Sequence, residues 1–129
     1  MANRLKTLQR LGRVQADMVK LAEWRLTATE QACRDLGDDK ARLRDYVSAE
    51  DALGLPIAKA ALKSLGTIEA RLAVAERERT AQRAKLDALR RSDKTIESAT
   101  QRALTAARHE EEQRSLKETL EAWLAAHSN

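Results

Sequence analysis

A strict alternation of three- and four-residue steps between Leu65 and Ala107 constrains this chain more than any other feature. The positions on this alternation are Leu65, Ile68, Leu72, Ala75, Arg79, Gln82, Leu86, Leu89, Asp93, Ile96, Thr100, Ala103 and Ala107. A mean period of 3.5 residues places them on one helix face and favours left-handed winding around a partner helix. Four of these positions are polar or charged, which lowers stability but can fix the register of the two helices.

The composition favours long helices and disfavours a compact sheet fold. About three fifths of the residues are Ala, Glu, Lys, Leu or Arg, which is typical of coiled coils. The chain has no Phe, one Tyr and two Trp, so few aromatic side chains are available to pack the faces of a sheet. Because much of the apolar content is Ala, we expect an all-α fold with a thin core.

The sequence Leu53-Gly54-Leu55-Pro56 is the strongest helix-ending signal in the chain. Glycine suits the left-handed position after a helix, and proline suits the first turn of the next one. We therefore predict helix one over about 4–52, a reversal at about 53–56 and helix two over about 57–126. So short a connection makes the helices antiparallel. We therefore predict a single domain over 1–129 that folds as a long antiparallel two-helix coiled-coil hairpin. A three-helix bundle with a break at Gly37 or Gly66 remains an alternative.

Helix one carries an apolar stripe that we expect to face helix two. Its members recur at three- and four-residue steps, and they are Leu5, Leu8, Leu11, Val14 or Gln15, Met18, and Leu21 or Ala22. The stripe continues more weakly through Ala28, Ala32, Leu36, Leu43, and Tyr46 or Val47. On helix two the apolar face shifts after Ala107 and resumes at Leu116. We expect this longer helix to extend past helix one at the end that holds both termini.

No arrangement of residues in the sequence points to catalysis. His109 precedes three glutamates, but Gln113 stands where a zinc protease motif needs its second histidine. Cys33 is the only cysteine and has no histidine nearby, so we interpret it as a packed thiol. We predict a protein that is not an enzyme, with no catalytic, cofactor or metal site. No apolar run is long enough for a transmembrane helix. Because the lone cysteine can form no internal disulfide, we expect a protein of the reducing cytoplasm.

Basic residues are concentrated at the start of the chain, although the net charge is only +4. Arg4, Arg10 and Arg13, together with Lys6 and Lys20, form a strip on the first helix. Such charges are often simply solvated, but the strip could also dock an acidic partner. The modest net charge and the shortage of aromatic side chains to stack on bases argue against nucleic acid.

Two apolar groups are candidates for partner contacts. Leu43, Tyr46 and Val47 precede the predicted reversal, where they either close the packing of the two helices or contact a partner. Leu120, Trp123 and Leu124 lie near the other end, on the part of helix two that we expect helix one to leave uncovered. An uncovered tryptophan is a common anchor of protein interfaces.

The opening heptad Arg4-Leu5-Lys6-x-Leu8-x-Arg10-Leu11, followed by two long helices rich in Ala, Glu, Arg and Gln, resembles the FliJ/YscO family of flagellar and type III secretion systems. This resemblance implies a stalk that enters the hexameric export ATPase, contacts the export gate protein and escorts substrate chaperones, at the cytoplasmic face of the inner membrane. By position, Arg4, Arg10, Arg13, Leu120, Trp123 and Leu124 would face the ATPase. Leu43, Tyr46 and Val47 would face the gate.

Two other functions compete with the one that this resemblance implies. A structural coiled coil that self-associates into a helical bundle would form a stable oligomer and need no ATPase. A weak nucleic-acid-binding coiled coil would lose affinity steeply as the salt concentration rises.

Overall fold

The computed structural model describes residues 2–53 and 58–128, which form two helices and no strand. Helix α1 spans Ala2–Leu53 and helix α2 spans Ala58–Ala126, with 52 and 69 residues. The two helices pack against each other, which confirms the prediction of an all-α fold built from a pair of long helices. The predicted reversal falls, apart from Leu53, outside the described residues.

Both helices continue through their internal glycines. Gly37 lies inside α1 and Gly66 lies inside α2, so the alternative with a third helix is not observed. A Cβ atom added at either glycine would meet no neighbouring atom within 4 Å. These glycines therefore relieve no crowding, and they leave the helix intact because neighbouring turns pack on the partner helix.

The contacts of α1 and α2 divide the chain into two compact units. Unit 1 consists of Met1–Met18 and Leu89–Asn129, and unit 2 consists of Val19–Ala88. Each unit therefore contains one stretch of α1 packed on one stretch of α2.

In unit 2 the two stretches run antiparallel, as their ion pairs show. Glu30 lies 3.2 Å from Arg83, whereas Glu69 lies 4.0 Å from Lys40 and 3.6 Å from Arg44. Positions that increase along α1 thus pair with positions that decrease along α2. All five side chains are at least partly exposed, so each pair contributes no more than about 1 kcal/mol. The pairs define the register more than they stabilise it.

The core of unit 2 is narrow and consists mainly of small side chains. The buried residues are Ala22, Cys33, Val47, Ala61, Ala75 and Leu86. Leu86 is the most enclosed of them, with 3% of its surface exposed. Cys33, one of these buried residues, is a free thiol, which agrees with its interpretation as a packed residue.

Unit 1 is antiparallel as well. A Cβ atom on Gly12 would lie 3.8 Å from Cγ2 of Ile96, and Nε2 of Gln15 donates a hydrogen bond of 3.1 Å to the carbonyl oxygen of Leu89. This hydrogen bond satisfies a polar group at the helix interface and ties it to the backbone of the facing helix.

On α2 the packed face is the predicted one. All thirteen positions from Leu65 to Ala107 on the three-four alternation are buried or half-buried. This includes the polar positions, and Oε1 of Gln82 is buried without a hydrogen-bond partner in the described part of the chain. An unpaired buried acceptor costs about 1–3 kcal/mol.

On α1 the packed face agrees with the predicted stripe at Leu5, Leu8, Gln15, Ala22, Leu36, Leu43 and Val47, and differs from it at Leu11, Met18, Ala28 and Ala32. It passes through Leu5, Leu8, Gly12, Gln15, Val19, Ala22, Leu26, Thr29, Cys33, Leu36, Lys40, Leu43 and Val47, all buried or half-buried. Leu11, Val14, Met18 and Leu21 stay between 44% and 57% exposed. Ala28 and Ala32 are also exposed. The physical reason is the shared period: three-residue steps from Leu5 to Val14 drift around the helix, whereas a face that follows α2 must keep a period of 3.5.

We expect Leu86→Ala to lower the free energy of unfolding by about 2–3 kcal/mol, because it empties the most enclosed position of a thin core. The matched control is Leu62→Ala, since Leu62 is 50% exposed and its loss should cost well under 1 kcal/mol. Urea unfolding followed by circular dichroism measures both. Equal costs for the two variants would contradict the observed packed face.

We expect Gly66→Ala to raise the free energy of unfolding by about 1 kcal/mol, because alanine is the better helix former and the added Cβ meets no atom. The same urea unfolding experiment measures the change. A loss of stability would instead indicate that the chain needs glycine there for a break or turn, which would contradict the continuous α2.

Candidate interaction surface

The C-terminal part of α2 extends past the start of α1 and is exposed on all sides. In unit 1 Arg4 and the α2 residues Ala103 and Ala107 line one groove, so the first turns of α1 lie beside this stretch of α2. Every residue from 108 to 126 is exposed, in contrast to the half-buried Ala107. We call residues 108–126 the overhang. The sequence predicted this uncovered end.

The overhang carries its own apolar stripe. Its exposed large side chains are Leu116, Leu120, Trp123 and Leu124, which are 53–58% exposed. Three of these four, Leu120, Trp123 and Leu124, are residues that the sequence predicted as partner contacts. The structure brings them together within two turns of one helix, where they form a surface that another protein could cover.

Trp123 is held in place by the end of its own helix. Its ring stacks on His127 with centroids 4.4 Å apart and planes 22° from parallel. Nδ1 of His127 lies 2.8 Å from the carbonyl oxygen of Trp123, so a hydrogen on Nδ1 lets the imidazole donate to that oxygen. A preoriented tryptophan loses little conformational entropy when a partner covers it.

The overhang and the start of α1 carry opposite charge. The overhang has five glutamates against three Lys or Arg, and Arg114 pairs with Glu111 within it. The first eighteen residues have four Lys or Arg against Asp17. Arg4, Arg10 and Arg13 are all exposed, but Arg4 and Arg13 line grooves on opposite flanks, so the three arginines wrap around the outer side of α1 and do not share one face. Unit 1 therefore presents an acidic and a basic surface.

Sequence reasoning placed Leu11 and Met18, with Val14 as an alternative to Gln15, on the packed face of α1, whereas they form an exposed apolar stripe. Leu11, Val14 and Met18 are 48%, 57% and 44% exposed and lie beside the packed face rather than within it. The signal was present in the sequence as two apolar rows on one helix. Only the row through Gly12 and Gln15 keeps the 3.5-residue period of α2, so the other row had to remain outside.

Each flank of the helix pair in unit 1 carries a groove. One of them, here called the alanine groove, is lined by Arg4, Ala99, Arg102, Ala103, Ala106 and Ala107. Leu11 and Met18 follow Arg4 at seven-residue intervals, so they lie on this same flank. The groove on the opposite flank is lined by Leu8, Gln9, Gly12, Arg13, Ala16, Asp93, Ile96, Glu97, Thr100 and Gln101.

In unit 2 the candidate residues have different exposures. Val47 is buried and Leu43 half-buried in the helix interface, whereas Tyr46 is 44% exposed. Of these three predicted contacts, Tyr46 offers the most surface to a partner. Trp24 is 71% exposed in the same unit and was not predicted as a contact. Its position outside the apolar stripe was the available signal.

Comparisons of the chain with protein-family models, curated proteins and solved structures found no match. Neither helix, over its described residues, combines the length and apolar character that crossing a membrane requires. In the same part of the chain no group of three or more His, Cys, Asp or Glu side chains could hold a metal ion.

We expect the backbone amides of the overhang to exchange with solvent at least about a hundredfold faster than those near Leu86, because an isolated helix of this length is marginal in water. Hydrogen exchange on dilute protein, read by mass spectrometry of peptides, measures the difference. Equal protection in the two regions would show that the overhang is packed against another part of the chain.

Proposed function

We propose that this protein is a non-enzymatic interaction protein that serves as the central stalk and export chaperone of a type III secretion ATPase. In this role it connects the ATPase ring to the export gate at the cytoplasmic face of the inner membrane. The observation that carries the proposal is the overhang, a helix end with an uncovered apolar stripe next to a basic strip. The secretion partner itself rests on the resemblance of the opening heptad and the helix layout.

The overhang has the properties of a binding element for the inner surface of a ring. A single helix is narrow enough to enter a central channel that a globular domain would block. Its apolar stripe supplies an anchor, because buried tryptophan and leucine side chains contribute much of the energy of protein interfaces. Its surrounding charges keep the exposed end soluble when no partner is bound.

The basic strip supplies the second part of the proposed ATPase contact. Arg4, Arg10 and Arg13 are exposed on the stretch of α1 that belongs to the same unit as the overhang. Positive charge on one stalk and negative charge on the facing ring would speed association and orient the stalk. This contribution should weaken as salt rises, whereas the apolar contribution should persist.

Fewer residues are available for the proposed gate contact than the resemblance implied. Leu43 and Val47 are used largely in packing α1 on α2, which leaves Tyr46 as the exposed member of the group. An exposed tyrosine can bury an apolar ring and still donate a hydrogen bond. We therefore propose Tyr46 as the principal gate contact of the three.

The test uses the secretion ATPase encoded in the same genome. Wild-type protein should bind the purified ATPase, favour its hexamer and raise its ATP turnover. The double variant Leu120→Glu/Trp123→Glu should weaken binding by about a hundredfold, because it places charge where an apolar anchor is needed. Binding is measured by titration and turnover by phosphate release.

The matched control is Leu62→Glu, which changes an equally exposed leucine in unit 2. It should leave ATPase binding unchanged, and circular dichroism should show full helix content for both variants. The proposal fails if wild-type protein does not bind the ATPase, or if the double variant binds as well as wild type.

A further inference from the structure

We propose that two copies of this chain form a symmetric dimer in which the overhang of each copy starts in the alanine groove of the other and continues along the exposed stripe Leu11, Val14 and Met18. The inference uses only residues of unit 1 and does not depend on the proposed ATPase partner. It assigns one occupant, a second copy of the chain, to three features that are otherwise unexplained. These features are the apolar stripe of the overhang, the exposed stripe Leu11, Val14 and Met18, and the alanine groove.

The directions of the helices in unit 1 allow each copy to bind the overhang of the other in the same way. Within one copy α1 runs antiparallel to α2, as the Gly12–Ile96 and Gln15–Leu89 contacts show. An overhang that lies parallel to α1 of the other copy therefore places the two α2 helices antiparallel. A twofold axis across the α2 helices, near the start of each overhang, generates this arrangement. Both copies then use the same two surfaces, so assembly closes at two.

The two surfaces match in length. The overhang spans residues 108–126, and the part of α1 in unit 1 extends to Met18. At 1.5 Å per residue these stretches are about 28 Å and about 25 Å long. One overhang can therefore cover α1 of the other copy along its whole length in unit 1 and convert a helix pair into three packed helices.

The apolar residues fall level with one another in this parallel arrangement. When Leu120 lies beside Val14, the other apolar residues of the two stripes meet within about one residue. The resulting pairs are Leu116 with Leu11, Leu120 with Val14, and Leu124 with Met18. In the same register the start of the overhang lies level with the alanine groove, where the small side chains of Ala99, Ala103 and Ala106 let the two α2 helices approach closely.

The same alignment also matches the charges. It places Glu110–Glu112 of one copy level with Arg4 and Arg102 of the other, both of which line the alanine groove. Charge complementarity and apolar complementarity thus select the same register, although they depend on different residues. Attraction between these partly exposed groups favours the parallel direction and the second copy as occupant.

Sedimentation velocity of the full-length chain over a range of concentrations tests the dimer by charge reversal. Wild-type protein should show a reversible monomer–dimer equilibrium. Either reversal alone, E110K/E111K/E112K or R4E/R102E, should raise the dissociation constant about tenfold or more, because like charges then meet in the alanine groove. Both reversals in one chain should restore the dissociation constant to within about threefold of wild type.

The charge-reversal experiment can fail in three ways, and each would overturn the proposal. Wild-type protein could stay monomeric at all concentrations, the dimer could be insensitive to either reversal, or the combined reversals could fail to restore it. Circular dichroism shows that each variant keeps its helices. No ATPase is present in the experiment, so its result is independent of the proposed function.

An engineered disulfide tests the apolar register. In a Cys33→Ala background, Val14→Cys/Leu120→Cys should give a covalent dimer on oxidation. The control Leu62→Cys/Leu120→Cys should not, because Leu62 belongs to unit 2. Within one copy Ile96 lies opposite Gly12, so Leu120 is about 36 Å beyond it along α2. Cross-links confined to single chains, or equal yields in both variants, would contradict the dimer.

The dimer has a consequence for any partner that binds the overhang. The apolar stripe cannot be covered by a second copy and by an ATPase at the same time. If both proposals hold, the homodimer is the form in which the chain exists before it meets the ATPase, and ATPase binding competes with dimer formation.

Discussion

The rest of this structure depends on two helix faces that share a period of 3.5 residues. The face on α2 is continuous from Leu65 to Ala107, and α1 can pack on it only with residues that repeat at the same interval. This constraint brings Gly12, Gln15 and Lys40 into the interface ahead of more apolar neighbours. It also leaves Leu11, Val14 and Met18 outside. Apolar character alone did not decide which residues pack, because the geometry of pairing selected among several candidates.

The same constraint produces the surface that we associate with function. In unit 1 the start of α1 lies beside Ala103–Ala107, so the rest of α2 has no helix to pack on. An uncovered helix of this kind is stable mainly when something binds it. The proposed function of the overhang and its low local stability therefore both follow from the register in which α1 packs on α2. The basic start of α1 and the acidic overhang lie in the same unit for the same reason.

The sequence was sufficient for the features that depend on strong local signals. The long repeat predicted the packed face of α2 completely, including its polar positions Arg79, Gln82 and Asp93. It also predicted that α2 outlasts α1, which placed Leu120 and Trp123 on an uncovered end. These predictions succeeded because a sustained 3.5-residue period has few alternative explanations, and because the chain contains little glycine or proline to interrupt a helix.

The packed face of α1 could be predicted only in part from its own residues. In the first half of this helix two apolar rows run side by side, and the row through Leu11, Val14 and Met18 is the one that remains exposed. The choice between them depends on α2, so it is a tertiary effect rather than a local preference. For the same reason the sequence could not separate buried Val47 from exposed Tyr46, although the two residues are adjacent. It also gave no indication of the alanine groove, which requires both helices.

The most direct test of this account is the distance between Gln9 and Gln101 in solution. Both residues line the groove of unit 1 on the flank opposite the alanine groove, one from each helix. Spin labels at these positions, in a Cys33→Ala chain diluted with unlabelled protein, should give one short distance by pulsed electron resonance. A slip of one heptad would displace the labels by about 10 Å along the helix axis. A single short distance is the expected result, and a long or broad distribution would contradict the register on which the overhang depends.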